Sequence, residues 1–380
     1  MIDQSQQAAI QAAVTSPHDT IITGGAGTGK TTIIREIMDR LDGRAELLAP
    51  TGKAAALLRQ RTGYDAQTVH RWLMWDGEEV NRTAPCNVPV IIDEASMLDA
   101  WLLRQIIETA PPRIVLVGDA AQLPPVGKGA PFHDLIALRP AIVSTLTTCH
   151  RARSAVSMAA TAMRAGKMPA AELRGDGESY KHFDTGDKAV SHARILSWVA
   201  ANHYDATQDV VLACRNGTPD EPGTVQGLNA AIAEIVNPRG GADWVIRDRV
   251  MNLKNAAKLD WFNGDTGTIT AIDTCGDLWV QPDRGGEEIC LDKTARRSLS
   301  LAYAATVHKS QGSQYRRVFV LVTKADIHML SRNLIYTAVT RAQRGVVVVG
   351  ELGAVRYGLG RTAHKATVLQ WIAEYGQAAE

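Results

Sequence analysis

The sequence predicts an α/β fold of mostly parallel strands alternating with helices, and three features of its pattern carry that expectation. Residues 19–41, DTIITGGAGTGKTTIIREIMDRL, read as a buried strand, a glycine-rich loop and an amphipathic helix. The same order of apolar strand, polar turn and helix recurs in LLAPTGKAAALL, VPVIIDEASMLD and RIVLVGDAAQLPPVGKG. Strands that alternate with helices in this way form a doubly wound parallel sheet. From about residue 264 to 298 the pattern changes to short alternating strands, GDTGTITAI, DLWVQP and EEICL, separated by Gly and Asp turns.

At 380 residues the chain is long enough for two or three domains, each with its own core. Its 45% apolar and 21% charged content is ordinary for a soluble globular protein. A formal net charge of +1 neither favours nor excludes a polyanionic partner, so only local clusters are informative. Cys86, Cys149, Cys214, Cys275 and Cys290 lie far apart and form no Cys-x-x-Cys pair. This argues against a zinc site or a disulfide framework and fits a reducing cytoplasm. The opening MIDQSQQAAI lacks a basic segment followed by an apolar one, so it does not read as a signal peptide. The longest apolar runs are strand-sized, too short for a membrane span. No fixed-period repeat or low-complexity run is evident.

The first element carries chemistry. Gly24, Gly25, Ala26, Gly27, Thr28, Gly29, Lys30 and Thr31 match G-x-x-x-x-G-K-[ST], and Thr32 follows. The glycines leave backbone N–H groups free to face phosphate oxygens at a helix N-terminus, where the dipole favours anions. Lys30 would reach the β- and γ-phosphates, and Thr31 would ligate Mg²⁺. VPVIIDEASMLD is a buried strand ending in Asp93 and Glu94. A carboxylate at the end of a parallel strand is where Mg²⁺ needs a ligand, which selects Asp93. Glu94 is placed to accept a proton from attacking water. Asp119 and Gln122 follow the next strand, and a neutral Gln122 can orient water without competing for the metal. Pro124 and Pro125 stiffen that loop.

Thr51, Gly52 and Lys53 in LLAPTGKAAALL stand at another helix N-terminus. With no second nucleotide to bind there, a nucleic-acid phosphate is the natural anion, and an ordinary capped helix reads equally well. The stretch TVHKSQGSQYRR, residues 306–317, is polar and basic between two apolar runs, with no Asp or Glu from Lys293 to Ala325. Thr306, His308, Lys309 and Ser310 can bind phosphates, Gly312 allows close backbone approach, and Arg296, Arg297, Arg316 and Arg317 add positive field. The alternative is a solvated basic face.

In this order, GGAGTGKTT, APTGKAA, TVHRWL, VIIDEASMLD, VGDAAQLPPVGKG, TVHKSQGSQY and YTAVTRAQ resemble the motif series of superfamily 1 helicases. The RecD-like and Dda-like branch, superfamily 1B, is the most similar, and the motifs extend over nearly the whole chain. The resemblance implies two RecA-like P-loop domains with parallel sheets and ATP in the cleft between them. It also implies single-stranded DNA across their top and movement in the 5′-to-3′ direction. It identifies Gln6 as the adenine-reading glutamine, and Arg151 and Arg341 as the two arginines that reach the γ-phosphate from the second domain. It places His70 and Pro125 with Thr51, Gly52 and Lys53 on the nucleic acid. The segment bearing Thr306, His308, Lys309 and Ser310 would face DNA on one side, and Gly312 and Gln314 the nucleotide on the other. Related sequences usually have Glu where this chain has Gln314; glutamine still hydrogen-bonds a ribose hydroxyl but carries no charge, which loosens nucleotide preference.

The expected plan is an ATP-binding domain at residues 1–150 and a second RecA-like domain at 151–380. A β-hairpin at about 73–86, turning at Asp76-Gly77, would be the pin that splits duplex DNA. Trp72 reads as core and Trp75 as a base-stacking candidate; Tyr303 reads as buried. Residues 264–298 resemble the SH3-like insertion of this branch, and ATVLQWIAEYGQAAE would be a C-terminal helix on the second domain. The expected activity is that of an ATP-dependent 5′-to-3′ DNA helicase. Translocation without strong unwinding stays open because the hairpin is short. A nucleotide-switched binding module also stays open, although it would not require the complete hydrolytic set. The expected cofactors are ATP and Mg²⁺. Single-stranded and 5′-tailed duplex DNA are the expected partners of a cytoplasmic monomer, with single-strand-binding, replication or repair proteins as associates.

Overall fold

The computed structural model describes residues 2–150, 153–256, 259, 261–363, 365 and 367. The chain divides into two compact units, Met1–Ala152 with Ala363–Glu380, and Arg153–Thr362.

The first unit is a parallel sheet of β1 (Thr20–Gly24), β2 (Glu46–Ala49), β3 (Gln67–Thr68), β4 (Val90–Ile92), β5 (Ile114–Gly118) and β6 (Val143–Leu146). Their order is β3-β2-β4-β5-β1-β6, and every neighbouring pair is parallel. Helices α1 (Gln4–Thr15), α2 (Lys30–Arg40) and α3 (Gly52–Thr62) supply one core, with Ile22, Leu47, Ile91 and Val115 from the strands. The next residue of each strand, or the one before it, turns the other way. Ile21, Leu48, Ile92 and Leu116 join a second core with α4 (Val69–Trp72), α5 (Ala100–Glu108) and Phe132 of α6 (Pro131–Leu138). A strand with a core on both faces reads as a continuous apolar run, because successive side chains point to opposite faces.

The second unit has a sheet ordered β15-β9-β16-β17-β8-β7. Its strands are β7 (Glu172–Gly175), β8 (Glu178–Asp184), β9 (Asp209–Ala213), β15 (Ala304–Thr306), β16 (Tyr315–Val322) and β17 (Ala342–Gly350). All neighbours are parallel except the β7–β8 hairpin. Val211, Phe319 and Leu321 pack against α8 (Lys188–Ala200) and α9 (Val225–Val236). The helices α7 (Ala155–Arg164) and α10 (Arg332–Thr340) contact each other and strand β17, and α11 (Leu352–Leu359) follows it.

An antiparallel sheet interrupts this unit. It contains β10 (Arg249–Asn252), β11 (Thr266–Ile272), β12 (Leu278–Pro282), β13 (Ile289–Leu291) and β14 (Leu299–Leu301), ordered β13-β12-β11-β10-β14. Val250, Trp261, Ile269, Leu278, Val280 and Leu291 fill its core. The sheet is wider than the segment 264–298 read from sequence, because β10 and β14 flank that segment on both sides. The apolar run from Leu299 to Ala305 is therefore two strands in two sheets. Tyr303, fully buried at the crossing, donates its hydroxyl to Asp248 at 3.1 Å and accepts the Tyr204 hydroxyl on its carbonyl at 2.7 Å.

The hairpin after α4 is small. Trp75 and Val80 form an isolated antiparallel bridge. Asp76 Oδ1 accepts the N–H groups of Glu78 and Glu79, both at 2.9 Å, and Gly77 turns with φ 116°. Trp72 is buried in the core. The expected C-terminal helix lies outside the described residues apart from Thr367. The described residues of the C-terminal segment, Ala363, Lys365 and Thr367, group with the first unit. Lys365 donates to the carbonyls of Pro125, at 2.8 Å, and Gly127, and the Thr367 hydroxyl donates to Asp134 at 2.9 Å. Among the described residues no helix is long and apolar enough to cross a membrane.

Candidate active site

The loop between β1 and α2 is built on glycines that no other residue could replace freely. Gly27 and Gly29 hold φ 78° and 81°, the left-handed region where a Cβ is costly. A Cβ on Gly24 would lie 2.5 Å from Thr28 Oγ1 and 2.9 Å from Leu146 Cβ. Thr28 Oγ1 instead donates to the Gly25 carbonyl at 2.9 Å. Gly29 caps α2 without any side-chain hydrogen bond. The first turn thus presents backbone N–H groups rather than a capped end. Lys30 Nζ donates to the carbonyls of Gly24 at 2.8 Å and Gly25 at 3.1 Å, holding the amine over the loop. Thr31 is half-buried and Thr32 exposed on that first turn.

Gln6 reaches the same loop from α1. Its Nε2 donates to the Thr28 carbonyl at 2.9 Å, and its Oε1 accepts the Asp3 N–H at 3.0 Å. Asp3 and Gln6 are a reciprocal capping box. Hydrogen bonds from the Ser5 hydroxyl and then the Gln6 N–H hold the Asp3 carboxyl down at about 2. His150 completes this corner. Its Nε2 is 3.0 Å from Asp3 Oδ2, and its N–H donates to the Gly27 carbonyl at 3.0 Å. Sequence reasoning missed Asp3 and His150, although the D-x-x-Q spacing of the capping box was a readable signal.

Asp93 follows β4, and its N–H donates to the Leu48 carbonyl at 2.9 Å. Burial, then repulsion from Glu94, pushes its carboxyl up; the Glu94 N–H, Lys30 and Arg61 act in the opposite direction. Lys30 and Asp93 are therefore electrostatic neighbours. Glu94 sits at φ 50°, a left-handed conformation that non-glycine residues rarely adopt. Asp119 and Gln122, both buried, close the turn after β5 through a Gln122 N–H bond to the Asp119 carbonyl at 3.1 Å.

The nucleic-acid candidates divide into presented and inward groups. Thr51 Oγ1 accepts the Ala54 N–H at 3.2 Å as the cap of α3, which leaves Gly52 and Lys53 half-buried in its first turn. His70 is half-buried against Trp75 and Trp101, and burial lowers its pKa. Pro125 is buried, and its neighbour Val126 is the residue the loop exposes, at 82%. Ser310 is fully buried and donates its hydroxyl to the Val307 carbonyl at 2.8 Å, so it faces the protein interior. Thr306 is nearly buried and accepts the Lys309 N–H at 3.2 Å. His308 and Lys309 are the presented residues here, and desolvation lowers the pKa of both.

Arg317 is tied to Asp209 at 2.5 Å, and Arg316 lies 3.6 Å from the same carboxylate, which offsets one of the two positive charges. The acid-free window in the sequence is local only: parallel pairing of β9 with β16 sets Arg317 directly opposite Asp209. Beyond them, Gly312 turns at φ 73°, and Gln314 Oε1 accepts the Gln343 amide at 3.2 Å. Arg341 ends α10, 4% exposed, with Nε 3.2 Å from the Thr337 carbonyl and Nη1 3.5 Å from the Ser313 carbonyl. Within the second unit, Gly312–Gln314 and Arg341 are thus brought together. Arg151 lies outside the described residues.

The AAA domain family matches residues 1–182, and the UvrD-like helicase C-terminal domain matches residues 301–349. The RecBCD enzyme subunit RecD of Mycobacterium tuberculosis is 33% identical over 92% of this chain and 70% of its own length. The ATP-dependent RecD2 DNA helicase of Deinococcus radiodurans is 30% identical over 94% of this chain and 50% of its own length. A structure of Pif1 helicase from Bacteroides with ADP-AlF3 and ssDNA shares the fold, with a TM-score of 0.59, 17% identity, and coverage of 99% of this chain and 98% of that one. The chain belongs to the RecD-like family of superfamily 1B helicases.

Proposed function

We propose that this protein is an ATP-dependent DNA helicase that moves 5′ to 3′ along single-stranded DNA. The observation that carries this reading is the cluster of the P-loop, Gln6, Lys30 and Asp93 in one unit of a RecD-like chain. Lys30 would leave the loop carbonyls for the β- and γ-phosphates. Glu94 would take the proton of the attacking water, and Gln122 would orient it. Arg341 would stabilise charge on the terminal phosphate. Thr31 and Asp93 would hold Mg²⁺. The buried Asp93 carboxyl suits a cation that takes one or two protein ligands and completes its shell with phosphate and water. When bound, that ion would neutralise charge developing on the phosphates.

The test is ATPase rate with and without single-stranded DNA, together with strand displacement on 5′- and 3′-tailed duplexes at stated salt. Stimulation and displacement from 5′ tails are expected. An ATPase indifferent to single-stranded DNA would overturn the reading, and equal displacement from 3′ tails would overturn the polarity. Lys30→Ala should abolish turnover while DNA binding persists; retained turnover would remove the P-loop assignment.

The single-bridge hairpin favours a second reading, translocation without strong unwinding. Stimulated ATPase with no strand displacement would establish it. We infer further that the protein acts as a monomer and that the antiparallel sheet is the SH3-like insertion of the family.

A further inference from the structure

An exposed aromatic surface beside the hairpin belongs to none of the sequence motifs in full. The His70 and Trp75 ring centroids are 4.9 Å apart, and those of Trp75 and Trp101 5.9 Å apart. His70 and Trp101 are 6.5 Å apart with planes inclined by 29°. Three segments contribute: α4, the hairpin and the first turn of α5. The helix α5 does not need Trp101 for its own packing, because Leu102, Leu103 and Ile106 make its buried face. Trp101 remains 42% exposed and the adjoining hairpin residue Met74 60% exposed. The Trp75 indole N–H is buried with no acceptor among the described residues, so packing alone holds that ring. The loop after β5 reaches the start of α5 through Lys128, whose carbonyl accepts the Ala100 N–H at 2.9 Å.

The exposed Trp101 indole is an apolar face left in water, and the half-buried Trp75 and His70 rings extend it into a patch of the kind that marks a contact. Nucleobases stack on such rings whatever their sequence, because every base has a π-face. His70 already stands among the expected DNA contacts, and its burial favours the neutral ring. We propose that Trp101 and Trp75, together with His70, form a stacking platform for an unpaired base of single-stranded DNA. This rests on the helicase reading and adds a contact that ignores phosphate.

Binding of an oligothymidylate about 20 nucleotides long, and of the same strand carrying abasic positions, tests it by fluorescence anisotropy at fixed salt. Trp101→Ala and Trp101→Leu should each weaken binding of the intact strand by about 5- to 30-fold. Trp101→Phe should stay near wild type. Abasic positions should weaken the wild type more than either variant, and the dependence on salt should be unchanged. Trp101→Leu keeps apolar bulk, so it separates stacking from packing. The platform is overturned if Trp101→Leu binds like wild type, or if the variants lose the same factor on intact and abasic strands. A wild type that binds no oligonucleotide would instead overturn the helicase reading, and the platform with it.

Discussion

The amide of Gln6 occupies the space that a side chain on Gly29 would need: a Cβ there would lie 2.5 Å from Gln6 Nε2. One residue type therefore serves two ends, a left-handed turn into α2 and a close seat for the glutamine. Gly29→Ala should lower stability by about 1–2 kcal/mol through the left-handed backbone alone. It should also weaken nucleotide binding by displacing Gln6. Thermal melting and titration with a fluorescent ATP analogue check the two effects. Unchanged nucleotide affinity would separate Gln6 from the nucleotide.

Arg317 is expected to act on folding. Asp209 is fully buried and takes bonds from Arg317 and, at 2.9 Å, from the Asp205 N–H. Arg317→Ala should destabilise the protein by about 2–3 kcal/mol by leaving that carboxylate short of its main cation. The salt slope of DNA binding should not change, whereas loss of a phosphate contact would reduce it by about one. Urea unfolding and salt-titrated binding give the answer.

Arg341→Ala should lower kcat by about a thousandfold while the KM for ATP changes little, if its guanidinium meets the terminal phosphate. Arg341→Lys should not restore the rate, since the planar fork is lost. Steady-state kinetics decide this. A fall in melting temperature with kcat intact would confine Arg341 to holding Ser313 and Thr337.

Tyr303→Phe should cost about 1 kcal/mol. The loss is modest because Asp248 keeps bonds from Arg239, Asn237 and the Val245 N–H. The urea midpoint should fall with the slope unchanged, showing that the two sheets of this unit still unfold together.

Much of the candidate site was legible because it is local. The glycine loop after β1 is one turn whose spacing encodes the left-handed backbone at Gly27 and Gly29. Asp93 and Glu94 were legible because a buried strand ends in front of them. The inward turn of Ser310 and the burial of Pro125 were not, since a polar or proline-rich segment reads the same whichever way its side chains face. The five-stranded width of the antiparallel sheet was hidden too: Arg249–Asn252 is too short to show a period of its own.

The sequence alone determined the alternation of strands and helices, the glycine-rich loop and the family, because each is written in contiguous residues. Only the tertiary structure decided that Asp209 pairs with Arg317 and lies near Arg316, that His150 meets Asp3, and that Trp101 stands beside Trp75. Those pairs are distant in the chain. Sheet register and helix packing bring them together, and register depends on every strand at once.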